Sequence, residues 1–118
     1  MKLRFIYTPV KDIAIAKAFY VDVLGAKVEW DEGPLTCSVK LPGDHVQVML
    51  DQDPSEGPAA GPFYAVPSVH AFMEKNPSLT FVRGPVRIPP GWYAIFEDSE
   101  GNPIRVMDDT ESNERKGG

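Results

Sequence analysis

The sequence predicts an α+β fold made of two consecutive βαβββ modules. Three observations carry this: short runs that alternate apolar and polar residues, one segment with helical spacing in each half, and the same element order met twice. Between the halves, residues 52–61 are rich in Asp, Pro, Ser, Gly and Ala and read as a linker.

In the first half, Leu3 to Thr8 reads as a strand closed by Pro9. Asp12 is a suitable N-cap, and Ala16, Phe19, Tyr20, Val23 and Leu24 recur at three- and four-residue spacing, the stripe expected of a helix packed on a sheet. Gly25 supplies the stop. Strands follow at Lys27–Asp31, at Leu35–Leu41 with Leu35, Cys37, Val39 and Leu41 on one face, and around Val46, Val48 and Leu50. The first module thus covers roughly residues 2–51.

The second half repeats the order. Phe63–Val66 is a strand; Ser68 caps a short helix that turns Val69, Phe72 and Met73 inward; Asn76-Pro77 ends it. Leu79–Arg83 is a strand, and the proline-rich Gly84–Gly91 reads as strand edge plus loop. Trp92–Glu97 and Pro103–Met107 form a closing hairpin, with Gly101 and Asn102 suited to positive backbone angles. The second module covers roughly 62–108, residues 1–108 making a single domain. Residues 109–118 are polar and are expected to form a flexible tail.

Composition narrows the function. The 118 residues carry 12 Lys+Arg against 17 Asp+Glu, a net charge of −5, which argues against nucleic acid or an anionic membrane as partner. Cys37 is the single cysteine, so no intrachain disulfide and no cysteine-rich zinc site is available; its alternating surroundings suit a buried thiol. No 18-residue apolar run or signal-like segment occurs, and a cytoplasmic location is expected. Glycine-rich phosphate loops, nucleophile elbows and metalloprotease motifs are all missing.

Two segments carry a family resemblance: Val10-Lys11-Asp12 followed by Phe19-Tyr20-Val21-Asp22-Val23-Leu24-Gly25, and Phe96-Glu97-Asp98-Ser99-Glu100-Gly101-Asn102-Pro103-Ile104-Arg105-Val106-Met107. Together they resemble the vicinal oxygen chelate superfamily, which includes glyoxalase I, extradiol dioxygenases, and fosfomycin- and bleomycin-resistance proteins. The resemblance implies an incomplete eight-stranded barrel forming a cup with helices outside, and homodimers that cover open sheet edges.

It also implies where a metal would be held, by His and Glu from the first and last strand of each module. The matching positions here are Phe5, Met49 or Gln47, Gly61 and Arg105. These are not a competent ligand set, and the Arg105 cation would repel a dication, so no metal and no cofactor is expected. The two histidines, His45 and His70, are expected on the surface, and adjacent Glu97 and Asp98 point to opposite faces of a strand.

Within the implied cup, alternation brings Leu3, Phe5 and Tyr7, then Gln47, Met49 and Asp51, then Phe63 and Ala65, and finally Arg105 and Met107 to the concave side, with Trp30 and Trp92 as walls. The candidate ligand-binding residues are therefore Phe5, Tyr7, Trp30, Gln47, Met49, Phe63, Trp92 and Arg105, a set of rings, soft methionines and a few polar groups. Arg105 inside such a surface calls for a carboxylate, from Asp51 or Glu97, or for a bound anion.

The reading this favours is a metal-free small-molecule-binding protein similar to the bleomycin-resistance proteins, sequestering an antibiotic or a related compound. The alternative is a lyase, isomerase or dioxygenase-like enzyme with an unconventional or metal-independent site, for which Tyr7, Asp51 or Glu97 could move protons. A third is an interaction module whose rings simply fill the cup.

Overall fold

The computed structural model describes residues 1–53 and 59–111. Its eight strands and two short helices follow the order βαβββ twice. The contacts divide into two compact units, Arg4–Gly61 and Met1–Leu3 with Pro62–Gly118, which correspond closely to the two modules.

In the first module, β1 (Lys2–Pro9) is followed by α1 (Ile13–Ala18), β2 (Lys27–Glu32), β3 (Thr36–Lys40) and β4 (Gln47–Asp51). The strands lie in the order β2-β3-β4-β1. β2, β3 and β4 pair antiparallel, as short turns allow, while β4 pairs parallel to β1 with Phe5 opposite Gln47 and Tyr7 opposite Met49. One sheet face is closed by the helix: Ala26, Cys37, Val39 and Leu50 are buried against Ile13, Ala16 and Tyr20. Cys37 is a free thiol there, and its burial pushes its pKa up, which keeps it protonated and inert.

The helix departs from the expected stripe. The Asp12 side chain caps it by accepting from the Ile15 N–H at 3.1 Å, but after Ala18 the chain widens into one π-helical turn, Phe19–Val23, closed by Leu24 N–H to Phe19 C=O. Bonding from i to i+5 changes the angular step per residue. Only Ile13, Ala16 and Tyr20 turn inward; Phe19 is 50 % exposed, Val23 66 % and Leu24 42 %. Ile15, at 70 % exposure, adds to an apolar stripe on the outer side.

In the second module, β5 (Gly61–Ala65), α2 (Val69–Lys75), β6 (Thr80–Ile88), β7 (Gly91–Glu97) and β8 (Pro103–Met107) give the strand order β5-β8-β7-β6. β5 and β8 run parallel and the other pairs antiparallel. Ser68 caps α2 through the Ala71 N–H, and Val69, Phe72 and Met73 pack on Val66, Ala94, Phe96 and Val106. The Gly84–Gly91 stretch is largely strand rather than loop. β6 continues through the cis Gly84–Pro85 bond because two register shifts, between Phe81 and Arg83 and between Arg83 and Val86, take up the residues that cannot pair. Gly84 has φ +99°, and a Cβ there would lie 2.7 Å from the Tyr93 carbonyl oxygen, so only glycine passes.

The β7–β8 turn is organised by Asp98. Its carboxylate accepts from the N–H groups of Asn102 and Glu100 and from the Asn102 side-chain amide. Gly101 alone takes a positive φ, +84°; Asn102 does not, and contributes through its hydrogen bonds instead. Beyond β8, Thr110 bonds back to Asp108 and the Glu111 N–H to the Pro90 carbonyl, while residues 112–118 and 54–58 lie outside the described residues.

Two outcomes follow from these packing arrangements. Phe19→Ser should change stability by only about 0.5 kcal/mol, whereas Leu50→Ala should cost about 2–5 kcal/mol, measured by urea unfolding. The backbone hydrogen bonds from Asn102 hold the Asp98 pKa below its ordinary value. Its stabilising effect is therefore present above about pH 4 and lost as pH falls through the lowered folded value. The advantage of wild type over Asp98→Ala in urea unfolding should be present at pH 6 and shrink on acidification.

Candidate functional site

Each module leaves one sheet face without a helix, and period-two alternation fills it with the side chains that the helix layer does not use. On the first module these include Phe5 and Tyr7 from β1, Gln47, Met49 and Asp51 from β4, Thr36, Ser38 and Lys40 from β3, and Trp30 and Glu32 from β2. Phe5 and Tyr7 are 6 % and 4 % exposed, and Ser38 is wholly buried.

Two hydrogen-bonded groups organise this face. The Tyr7 hydroxyl donates to Asp51 Oδ2 at 2.5 Å, while Asp51 Oδ1 accepts from the Thr36 hydroxyl at 3.2 Å and from the Asp53 N–H at 3.1 Å. Three donors thus meet one carboxylate, which fixes the Tyr7 ring and satisfies most of the anion's capacity. The Ser38 hydroxyl donates to Gln47 Oε1 at 2.5 Å. Above this second pair, Phe5 and Trp30 meet edge to face with centroids 6.0 Å apart.

On the second module, register places Phe63, Arg105, Ile95 and Arg83 in one row and Ala65, Met107, Tyr93 and Val86 in the next. Arg105 is 2 % exposed, on the face opposite Ile104 and Val106, which pack in the α2 layer. Phe63 and Tyr93 lie 6.3 Å apart, and Arg83 Nε donates to the Tyr93 hydroxyl at 3.3 Å.

Of the eight candidate residues, the structure brings Phe5, Tyr7, Trp30, Gln47 and Met49 together on the first module's helix-free face, and Phe63 and Arg105 on the second's. Trp92 goes to the other side. It packs in the α2 layer, with the His70 ring 4.9 Å away and the Arg87 guanidinium 5.9 Å over its face. The cause is parity: Trp92 is adjacent to Tyr93, so only one of them can share a face with Arg105. His45 and His70 are exposed.

The polar residue most telling for the fold, Asp108, was not flagged by the sequence reading. It is 3 % exposed; Oδ2 accepts from the first N–H of α2, Val69, at 2.7 Å, and Oδ1 from the Trp92 N–H at 3.0 Å. Gly91 makes room for it, since a Cβ there would lie 2.1 Å from Asp108 Oδ1. An Asp immediately after an apolar final strand was the one available signal.

The residues at the implied metal positions do not fit a metal ion. Phe5 offers a ring, Met49 a weak thioether, and Arg105 a buried cation; the Gln47 carbonyl oxygen already accepts from Ser38. Among the described residues, no three His, Cys, Asp or Glu side chains group closely enough to hold one. The described residues also contain no helix long and apolar enough to cross a membrane.

The family model described as "Glyoxalase/Bleomycin resistance protein/Dioxygenase superfamily" matches residues 3–106. The chain belongs to that superfamily. Solved structures agree on the fold. Methylmalonyl-CoA epimerase from Mycobacterium tuberculosis is 18 % identical with a TM-score of 0.71, covering 97 % of this chain and 91 % of its own. A glyoxalase/bleomycin resistance protein/dioxygenase superfamily member from Vibrio splendidus is 20 % identical at 0.64, covering 92 % and 99 %. Homoprotocatechuate 2,3-dioxygenase from Arthrobacter globiformis is 24 % identical at 0.62, with 93 % of this chain aligned to 36 % of that one. No curated protein matches the chain by sequence.

Removing the Asp108 carboxylate strands the buried Val69 N–H and the part-buried Trp92 N–H. Asp108→Ala should therefore cost about 2–4 kcal/mol in chemical denaturation, with α2 amides losing hydrogen-exchange protection first.

Proposed function

We propose that this superfamily member binds a small planar organic molecule and holds it with side chains rather than through a resident metal ion. The observation that carries the reading is the donor set: Phe5, Gln47 or Met49, Gly61 and Arg105 stand where the resemblance implies metal ligands, and among the described residues no three His, Cys, Asp or Glu side chains are grouped to hold an ion. In their place, each helix-free face offers aromatic rings, a methionine and several polar groups, some of them anchored by hydrogen bonds, a makeup that suits a small-molecule site. Phe5, Tyr7, Trp30, Gln47 and Met49 would contact the ligand on the first module, Phe63 and Arg105 on the second.

A sequestering role, as in the bleomycin-resistance proteins, is the form of this reading that needs no chemistry. The working protein is proposed to be a cytoplasmic homodimer; the exposed Ile15, Phe19 and Val23 support association, and the free buried thiol of Cys37 suits a reducing compartment. One observation favours an enzyme instead: the Tyr7–Asp51 hydrogen bond positions a phenol and a carboxylate for proton transfer.

Elemental analysis and calorimetric titration with Zn, Ni, Fe(II) and Mn should find no stoichiometric ion. Aromatic compounds from a library should raise the melting temperature saturably, a ligand at one hundred times its Kd adding about 2.7 kcal/mol. One tightly held ion per chain would overturn the proposal in favour of a metal-dependent enzyme. Turnover abolished by both Tyr7→Phe and Asp51→Asn would support the metal-independent enzyme.

A further inference from the structure

The Ser38–Gln47 pair of the first module shows what kind of ligand this face would select. Ser38 is wholly buried although it lies on the side without a helix. Register explains how. Trp30 stands beside Ser38 on β2 and Phe5 beside Gln47 on β1. The outer strands of this four-stranded sheet are three spacings apart, about 14 Å. The two ring centroids are nevertheless only 6.0 Å apart, so both side chains lean inward above the pair.

Beneath those rings the hydrogen bond has a direction. A serine hydroxyl has one proton, and Ser38 gives it to Gln47 Oε1. That bond turns the amide nitrogen, Nε2, away from Ser38 with both of its N–H donors. Among the described residues Nε2 has no hydrogen-bond partner, and Gln47 is half-buried, so its donors can be reached from outside. The face therefore presents donors beside aromatic surface. The carboxylate at the centre of the face, Asp51, is already engaged by the Tyr7 hydroxyl, the Thr36 hydroxyl and the Asp53 N–H, while Glu32 stands exposed at the β2 edge beside Thr36.

We propose that the first module recognises a ring compound through an acceptor oxygen, a carbonyl, amide or carboxylate oxygen attached to the ring. The oxygen accepts from Gln47 Nε2 while the ring lies against Trp30, Phe5 and Met49. Ser38 is the positioning residue: with its hydroxyl donated to Oε1, the amide is held with Nε2 toward the ligand. A cationic ring compound meets the wrong polarity at Gln47. This inference rests on the binding function proposed above and adds the chemical class of the ligand.

The test uses nitrogen-15-labelled full-length protein and three probes sharing one ring: benzoate, benzamide and benzylammonium. Benzoate and benzamide should shift the Gln47 side-chain amide and Trp30 indole N–H signals saturably, and benzylammonium should bind about tenfold more weakly or worse. Gln47→Glu keeps the shape and replaces the donors by an anion. It should weaken benzoate by about tenfold and improve benzylammonium. Ser38→Ala should release the amide and narrow the preference by a few-fold while the remaining spectrum stays native. Equal binding of all three probes, or the same ranking in Gln47→Glu, would overturn the acceptor-oxygen inference and leave small-molecule binding standing. No saturable shift with any probe would overturn both.

Discussion

Each module has one helix for a sheet that has two faces, and the rest of the structure answers to that shortage. Burying Cys37, Val39 and Leu50 under α1, or Ala94, Phe96 and Val106 under α2, commits every alternate residue to the opposite side. Those residues are not the polar set of an ordinary solvated sheet face. Phe5, Tyr7, Phe63, Tyr93, Ile95 and Met107 are each at most 8 % exposed. The sheets thus carry buried apolar residues on both sides, and several polar groups among them on the helix-free side, Tyr7, Asp51 and Ser38, are held by hydrogen bonds.

The satisfaction is specific. Asp51 gathers two hydroxyls and a backbone N–H, and Ser38 is matched with Gln47 beneath two rings. In a region of low dielectric such bonds strengthen, and a missing partner costs correspondingly more. Tyr7 therefore keeps one orientation, and so does the Gln47 amide. An arranged polar group in apolar surroundings is what distinguishes a recognition surface from a filled core, because its donors are fixed before any ligand arrives. The same logic run on the helix side gives Asp108, a buried carboxylate that ties the start of α2 to the start of β7.

The modular order and most strand positions were legible because they rest on period and punctuation: alternation along β3, β4 and β8, the Asp12 and Ser68 caps, and glycine at positive φ in the turns. Three features were not. A single π-helical turn moves Phe19 and Val23 out of the stripe, and spacing alone cannot show a change of helical step. β6 runs through Gly84–Pro85 because paired register shifts absorb a residue that cannot donate, a solution that depends on its partner strand. Trp92, expected as a wall of the cup from its place near a strand end, is put under α2 by a one-residue offset from Tyr93. On the site itself, strand parity was enough to group Phe5, Tyr7, Gln47 and Met49; the Ser38–Gln47 bond and the saturation of Asp51 depend on cross-strand geometry that sequence does not encode locally.

The departures from the family's implied metal positions share a chemical direction. Histidine and glutamate bind a cation by offering electron pairs, and the cation then draws in a ligand's oxygens. Gln47, with its carbonyl end occupied by Ser38, carries N–H instead, and Arg105 is a buried guanidinium. Both are donors, with the polarity a metal ion itself would have presented to an oxygen. The binding mode proposed above would therefore address the same kind of ligand atom without an intermediary ion. What is lost is Lewis-acid strength, since an amide N–H polarises a carbonyl far less than a dication does. Tyr7 and Asp51 are the hydrogen-bonded pair on the first module's face that the enzyme alternative would use.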